Sequence, residues 1–366
     1  MLDPAPPRPA RPSAHEQLVR RYPLPAAPPL IPSAPGRPPY RLALADVLSA
    51  HALARIERAG QLRFHCVGDT GGFENPIPQR AVAAAMSTEL AGSGGASFFY
   101  HLGDVVYPHG EASGYQSQFI DAYADYQVPI LGVPGNHDGE VSPGCSAGPL
   151  EAFSAQFCAA PHAADPTPAR PAQHQPNVFW TLEHPWITII GLYTGVADGG
   201  QLGEAQRDWL IGELRQARRD VTLLLAMHHP VFSADTIHGS NLELRDALDG
   251  CFAGAGRVPD AVLSAHVHSY QRYHRRLEGR EIPYLVTGSG GYPEVHRLGY
   301  GVPDPPASFA GLPGLTLEAY QHSTFGFLTV TASQGGARLD YNTVVRRRPV
   351  RYDSVYVTPG AVLALT

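Results

Sequence analysis

Five stretches of this chain set metal-ligand side chains directly after apolar runs: Gly68-Asp69-Thr70-Gly71, Gly103-Asp104 with Tyr107, Gly135-Asn136-His137-Asp138, Met227-His228-His229-Pro230 and Ala265-His266-Val267-His268. One histidine at a strand end is commonly a satisfied core residue. Five successive ends carrying Asp, Asp with Tyr, Asn with His, His, and His-x-His are a different matter, because buried charged groups need partners or metals. Carboxylate, carboxamide and imidazole donors without thiolate form a set that suits hard or borderline cations such as iron, zinc or manganese. Side chains of an extended chain repeat every two residues, so His266 and His268 face the same side and can serve two neighbouring metals. A mononuclear zinc needs three protein ligands, and about seven donors stand here. The surplus predicts two metal ions.

Such side chains need a scaffold that delivers strand ends to one place. From Gln61 onward, strand and helix patterns alternate: QLRFHCVG, ASFFYHLG and VPILGVPG read as strands, with helices QRAVAAAMSTELA and SGYQSQFIDAYADY between them. A second half repeats the scheme, with strands at NVFWTLE, WITIIGL, VTLLLAMHH and DAVLSAH and helices GEAQRDWLIGELRQAR and NLELRDALDGCF. Strands IPYLVTG, FGFLTVTAS and ARLDYNTV close the unit. Alternation of this kind predicts an α/β fold whose sheet is covered by helices on both faces, with ligands at the strand ends. Residues 1–45 form a Pro-rich arm, 60–345 the catalytic domain and 346–366 a C-terminal extension. Two irregular segments, Gly139–Pro176 and Tyr292–Ser323, begin directly after motif-bearing turns and are candidates for substrate selection. Arg170 and Arg297 lie in them and are candidates to meet a substrate anion.

The 366 residues carry a net charge of −6, too mild to argue for nucleic acid or an anionic membrane. All 27 basic residues are Arg, which excludes Schiff-base chemistry and a P-loop lysine. No run approaches the ~18 apolar residues of a membrane span. The N-terminus lacks the apolar segment of a secretory signal, so the expected compartment is the cytoplasm, or a secreted or periplasmic one if a leader is missing. Cys66, Cys145, Cys158 and Cys251 show no CxxC spacing and are read as free thiols, although Cys145 and Cys158 share a loop and pairing is conceivable in an oxidising compartment.

The blocks VGDTGG, LGDVVYPHG, PGNHDG, HHPVFSADTIHG and HVHSYQR resemble, in order and separation, those of the calcineurin-like metallophosphoesterases over about Phe64 to Val330. DTG in place of D-x-H, together with G-D-x-x-Y, is similar to the purple acid phosphatase branch. The resemblance implies a four-layer α/β/β/α metallophosphoesterase sandwich with mixed sheets. It implies that Asp69, Tyr107, His268 and a bridging Asp104 hold one metal, and that Asp104, Asn136, His228 and His266 hold the other. His229 is the rival of His228. Tyr107 fills the place that Gly71 leaves vacant, as a tyrosinate suited to Fe(III), with Fe, Zn or Mn at the second site. Ala265 stands where the family has Gly.

The implied activity is an acid phosphatase-like dinuclear-metal hydrolase that cleaves phosphomonoesters, a metal-bound hydroxide attacking directly. His137 is the implied phosphate contact or leaving-group acid, Asp138 its orienter, and His238 a further phosphate-facing histidine. The alternatives are a phosphodiesterase acting on cyclic nucleotides or phospholipid head groups with the same metals, and a non-catalytic scaffold of this fold. The partner is a small phosphorylated substrate.

Overall fold

The computed structural model describes residues 34–92, 94–158, 173–195, 200–299, 302–309 and 311–360. Most of the Pro-rich arm and Arg170 therefore lie outside the described residues. The chain builds two mixed sheets packed face to face. One has six strands: β2 (Leu62–Val67), β3 (Phe99–His101), β4 (Ile130–Gly132), β13 (Gly326–Ser333), β14 (Gly336–Val345) and β15 (Arg348–Val357). Its order is β15-β14-β13-β2-β3-β4. The other has nine: β1 (Arg41–Ala43), β5 (Trp180–His184), β6 (Ile187–Gly191), β7 (Thr222–Ala226), β8 (Ala261–Ser264), β9 (Tyr270–Leu277), β10 (Arg280–Thr287), β11 (Ala307–Ser308) and β12 (Leu315–Gln321).

Alternation within each central strand explains why the strands read as continuous apolar runs. In β2, Leu62, Phe64 and Cys66 face the neighbouring sheet, joined there by Leu224 and Ala226 of β7 and by Ala261 and Leu263 of β8. The outward residues Leu223, Leu225 and Val262 bury against the helices α6 (Glu204–Gln216) and α7 (Leu242–Ala255) through Leu210, Leu214, Leu244 and Leu248. On the opposite outer face, Val67 and Phe99 meet Val82 and Met86 of α2 (Ile77–Thr88), and Phe119 and Tyr123 join them. Both faces of each central strand are thus apolar, as in sheets covered on both sides. The layers run α/β/β/α. Helix ends follow local chemistry: Asn241 caps α7 by accepting from Leu244 N–H, and Gly256 ends it at φ 62°, a left-handed turn that suits glycine.

β2, β3 and β4 are parallel neighbours, as are β6, β7 and β8, so their C-terminal ends lie side by side. Several strands were not legible in the sequence, among them β1, inside the expected Pro-rich arm. β9, carrying Arg272, His274, Arg275 and Arg276, has the composition of a solvated loop, yet it pairs with β10 and β12 along its length. Within 292–323, expected to be irregular, β12 pairs with β9 and β11 with β12. The segment 346–366 contains β15, which pairs with β14 as the sheet's edge. All four cysteines are free thiols; Cys66, Cys158 and Cys251 are buried and Cys145 is exposed.

Candidate metal centre

Each motif residue sits in the turn that leaves a strand. Asp69 follows β2, Asp104 and Tyr107 follow β3, and Asn136 opens a single helical turn after β4. His228 follows β7, and His266 and His268 follow β8. Three of these turns hold non-glycine residues in the left-handed region: Asp69 at φ 55°, Asp104 at 56° and His266 at 65°. Such backbone costs on the order of 1–3 kcal/mol per residue and clusters where a site needs a side chain aimed across the strand direction.

The Tyr107 hydroxyl oxygen lies 3.1 Å from Asp69 Oδ1 and 3.0 Å from Asp104 Oδ2, its single proton shared between the two carboxylates. His268 Nε2 lies 3.4 Å from Asp69 Oδ1, and His228 Nε2 lies 3.3 Å from Asp104 Oδ2. His266 Nδ1 lies 3.2 Å from His228 Nε2. Separations of this size are those of donors sharing a cation at metal–ligand distances of about 2.0–2.2 Å. Asp104, His228 and His266 form one compact group of candidate donors. The Asn136 Oδ1 atom is buried without a hydrogen-bond partner, a polar acceptor that a cation would satisfy. Carbonyls fix the imidazole orientations: His228 Nδ1 engages Leu102 O at 2.9 Å and His268 Nδ1 engages Glu294 O at 3.0 Å, leaving each Nε2 for the centre.

Gly71 shows why the phenol belongs here. A Cβ at that position would stand 2.6 Å from the Tyr107 ring and 2.7 Å from Gln118 Oε1, so any side chain at 71 collides with Tyr107. Ala265 is tolerated because Gly68 faces its methyl group; a Cβ on Gly68 would stand 2.5 Å away. Tyr292 completes the wall, its ring 4.3 Å from that of Tyr107 and 4.7 Å from that of His268.

The electrostatics call for a cation. Burial pushes the Asp69 carboxyl up to about 7, with Asp104 adding to the rise and His228 opposing it. Burial also opposes ionisation of Asp104, but His228 and His137 outweigh it and hold this carboxyl well below the usual range. Burial, then Asp104 and Asp69, raise the Tyr107 phenol well above its ordinary value. A phenolate beside two carboxylates in a dry site needs a compensating positive charge.

His137 is buried, its ring 4.5 Å from that of Tyr107 and its Nδ1 2.7 Å from Pro108 O. Asp138, expected to orient it, does something else: its carboxylate accepts the N–H groups of Gly135 at 2.9 Å and Val105 at 3.0 Å, stitching two motif turns together. The carboxylate facing His137 is Glu140, with Oε2 3.6 Å from Nδ1. Sequence reasoning passed over Glu140 because it stands just past the Asn-His-Asp cluster, in a segment read as irregular. His229 Nδ1 engages Thr194 Oγ1 at 2.8 Å, and its ring lies 4.5 Å from that of His266. His238 packs on His266, with ring centroids 4.2 Å apart. Arg297 is exposed.

Residues 62–270 match the calcineurin-like phosphoesterase family. The chain belongs to that family. Purple acid phosphatase 22 of Arabidopsis thaliana is 24% identical over 189 residues, 49% of this chain and 40% of that protein. The chain thus spans about two fifths of this curated relative's length. Among solved structures, the purple acid phosphatase PPD1 of yellow lupin (Lupinus luteus) superposes with a TM-score of 0.59 at 18% identity, covering 82% of this chain and 54% of that one. GAP50, the anchor in the inner membrane complex of Plasmodium, superposes with a TM-score of 0.58 at 14% identity, covering 82% and 90%. The purple acid phosphatase likeness of the motifs and that of the relatives agree.

Proposed function

We propose that this protein hydrolyses phosphomonoesters with two metal ions, Fe(III) beside Tyr107 and Fe, Zn or Mn beside it. One observation carries the reading: the Tyr107 hydroxyl bonds both Asp69 and Asp104, in space that Gly71 leaves open. Asp69, Tyr107, Asp104 and His268 would hold the first metal; Asp104, Asn136, His228 and His266 would hold the second. Two such cations, when bound, activate water, orient the phosphoryl group and neutralise the charge that develops on its oxygens.

The chain's own residues do the remainder. Pro108 O fixes His137 through Nδ1, so Nε2 is the nitrogen presented to a substrate oxygen or leaving group. Glu140 backs the same ring. The Asp138 carboxylate keeps the turns after β3 and β4 at a fixed separation and so fixes Asp104 relative to Asn136. His238 stands at the mouth beside His266 as a second donor to the phosphoryl group. The partner is a small phosphorylated molecule; among the described residues no helix is long and apolar enough to cross a membrane.

The test is an activity screen over phosphomonoesters and phosphodiesters, with iron, zinc and manganese quantified in the same sample. Monoester hydrolysis that is lost together with metal in Asp104→Asn is the expected result. Hydrolysis confined to diesters overturns the monoester assignment, and full activity in metal-free protein overturns the two-metal one.

A further inference from the structure

A second cluster of metal-ligand side chains adjoins the centre: Asp235, His238 and His296, with donor atoms within 4.8 Å of one another. Its hydrogen bonds argue against a cation there. Asp235 Oδ1 accepts from Ser233 Oγ at 2.9 Å and from the N–H groups of His238 and Gly239, each at 3.1 Å. Oδ2 accepts from Ile237 N–H at 3.1 Å and faces His296 Nδ1 at 3.2 Å. A carboxylate offers about four lone-pair sites, and these contacts occupy them.

Asp235 instead anchors two histidines at once, His238 through its backbone and His296 through its ring. The loops carrying them are also tied by their main chains: Thr236 N–H donates to Arg297 O at 3.0 Å and Gly299 N–H to Ala234 O at 2.6 Å. His296 Nδ1 accepts from His268 N–H at 3.3 Å and lies 3.2 Å from Asp235 Oδ2, so Nε2 is the ring nitrogen left to donate to another partner. Nε2 is buried and has none. An unsatisfied buried polar atom costs about 1–3 kcal/mol, an expense that a site bears for a group that arrives later. The His296 ring stands 4.3 Å from His268 and 5.3 Å from His238, whose ring packs 4.2 Å from His266. His238 and His296 thus form a second tier above the His-x-His pair.

We propose that His296 is a further substrate-contacting residue, its Nε2 bonding a non-bridging oxygen of the bound phosphoryl group, with Asp235 as the positioning residue. The inference deepens the phosphoesterase reading and rests on it.

The probe is inorganic phosphate, titrated calorimetrically into the metal-loaded full chain and assayed as an inhibitor of monoester hydrolysis. His296→Ala is expected to weaken phosphate by about tenfold or more, the loss of one hydrogen bond to a charged group, and to lower kcat/KM in parallel at unchanged metal content. His296→Gln, which keeps volume and a donor, is expected to recover part of the loss and serves if the alanine variant does not fold. Asp235→Asn is expected to weaken phosphate as well. Affinity within twofold of the parent in both His296 variants overturns the proposal. So does loss of bound metal on either His296 substitution, which would make the cluster a cation site. Absence of hydrolysis by the parent protein counts against the function proposed above, whereas calorimetry still reads His296.

Discussion

At the scale of single residues, Tyr107 makes the sharpest claim. A phenolate on ferric iron absorbs in the visible by charge transfer, so iron-loaded protein is expected to be coloured and Tyr107→Phe to lose that colour while keeping its fold. A colourless iron-loaded parent would remove Tyr107 from the ligand set. His101 supplies a pH prediction away from the reacting atoms. It is buried between Gly103 N–H, which donates to Nδ1 at 3.1 Å, and Thr70 Oγ1, 2.8 Å from Nε2, and burial depresses its pKa to about 3. The folded value lies below the ordinary one of about 6.5, so the unfolded chain binds the extra proton first. The stability contribution is whole above pH 6.5 and drains as pH falls toward 3, by about 1.4 kcal/mol per unit. His101→Gln is expected to flatten this part of the acid limb, read by urea unfolding at pH 7 and pH 5 with metal removed from both proteins. Parallel slopes in the two proteins would show that His101 carries no such linkage.

At the scale of elements, the two sheets are joined by a carboxylate outside the candidate ligand set. Asp353 on β15 accepts from Arg272 Nε at 2.7 Å, Arg272 Nη2 at 3.1 Å and the Tyr270 hydroxyl at 2.7 Å, the last two residues belonging to β9. Burial opposes its ionisation, but the bonds to Arg272 and Tyr270 outweigh it and leave the carboxyl below its ordinary value. A depressed carboxyl stabilises above the unfolded pKa, about 3.9, and the contribution fades as pH falls through the folded value. Asp353→Asn is expected to cost about 1–3 kcal/mol at pH 7, with the gap to the parent protein closing below about pH 4. A gap of the same size at pH 3 and pH 7 would show that packing, rather than charge, makes the contact. β15, an edge strand with Tyr352 and Tyr356 about half exposed, depends on this clamp more than the central strands do.

At the scale of the whole molecule, the candidate ligands come from both sheets. Asp69, Asp104, Tyr107 and Asn136 leave strands of the six-stranded sheet, while His228, His266 and His268 leave strands of the nine-stranded one. Each proposed metal takes donors from both, so the pair would act as a cross-link between the halves of the sandwich. Metal bound only by the folded chain stabilises by mass action, about 4 kcal/mol for a site filled at a thousandfold over its dissociation constant. Scanning calorimetry is therefore expected to show a clear fall in the unfolding midpoint after chelation, and its recovery on adding metal back. A midpoint that ignores chelation would mean the centre adds nothing to the cohesion of the two sheets.

The sequence by itself determined the central strands and the residues at their ends. A strand buried on both faces is apolar throughout and stops where polar ligands begin, so VTLLLAM followed by His228 is legible locally. Strand β9 is not, because Arg272 and Arg275 find their partners in Asp353 and Asp249, 81 and 26 positions away. The same holds at the site. Asp138 and Glu140 are two carboxylates two residues apart, and only the fold decides that the first holds backbone N–H groups while the second faces His137. His296 carried no signal in the sequence, since its significance lies in Asp235, 61 positions away, and in a ring packed 4.3 Å from that of His268. Ligand types follow from local composition. Their partners depend on which strands become neighbours, and that is settled when two sheets bury their apolar faces against each other.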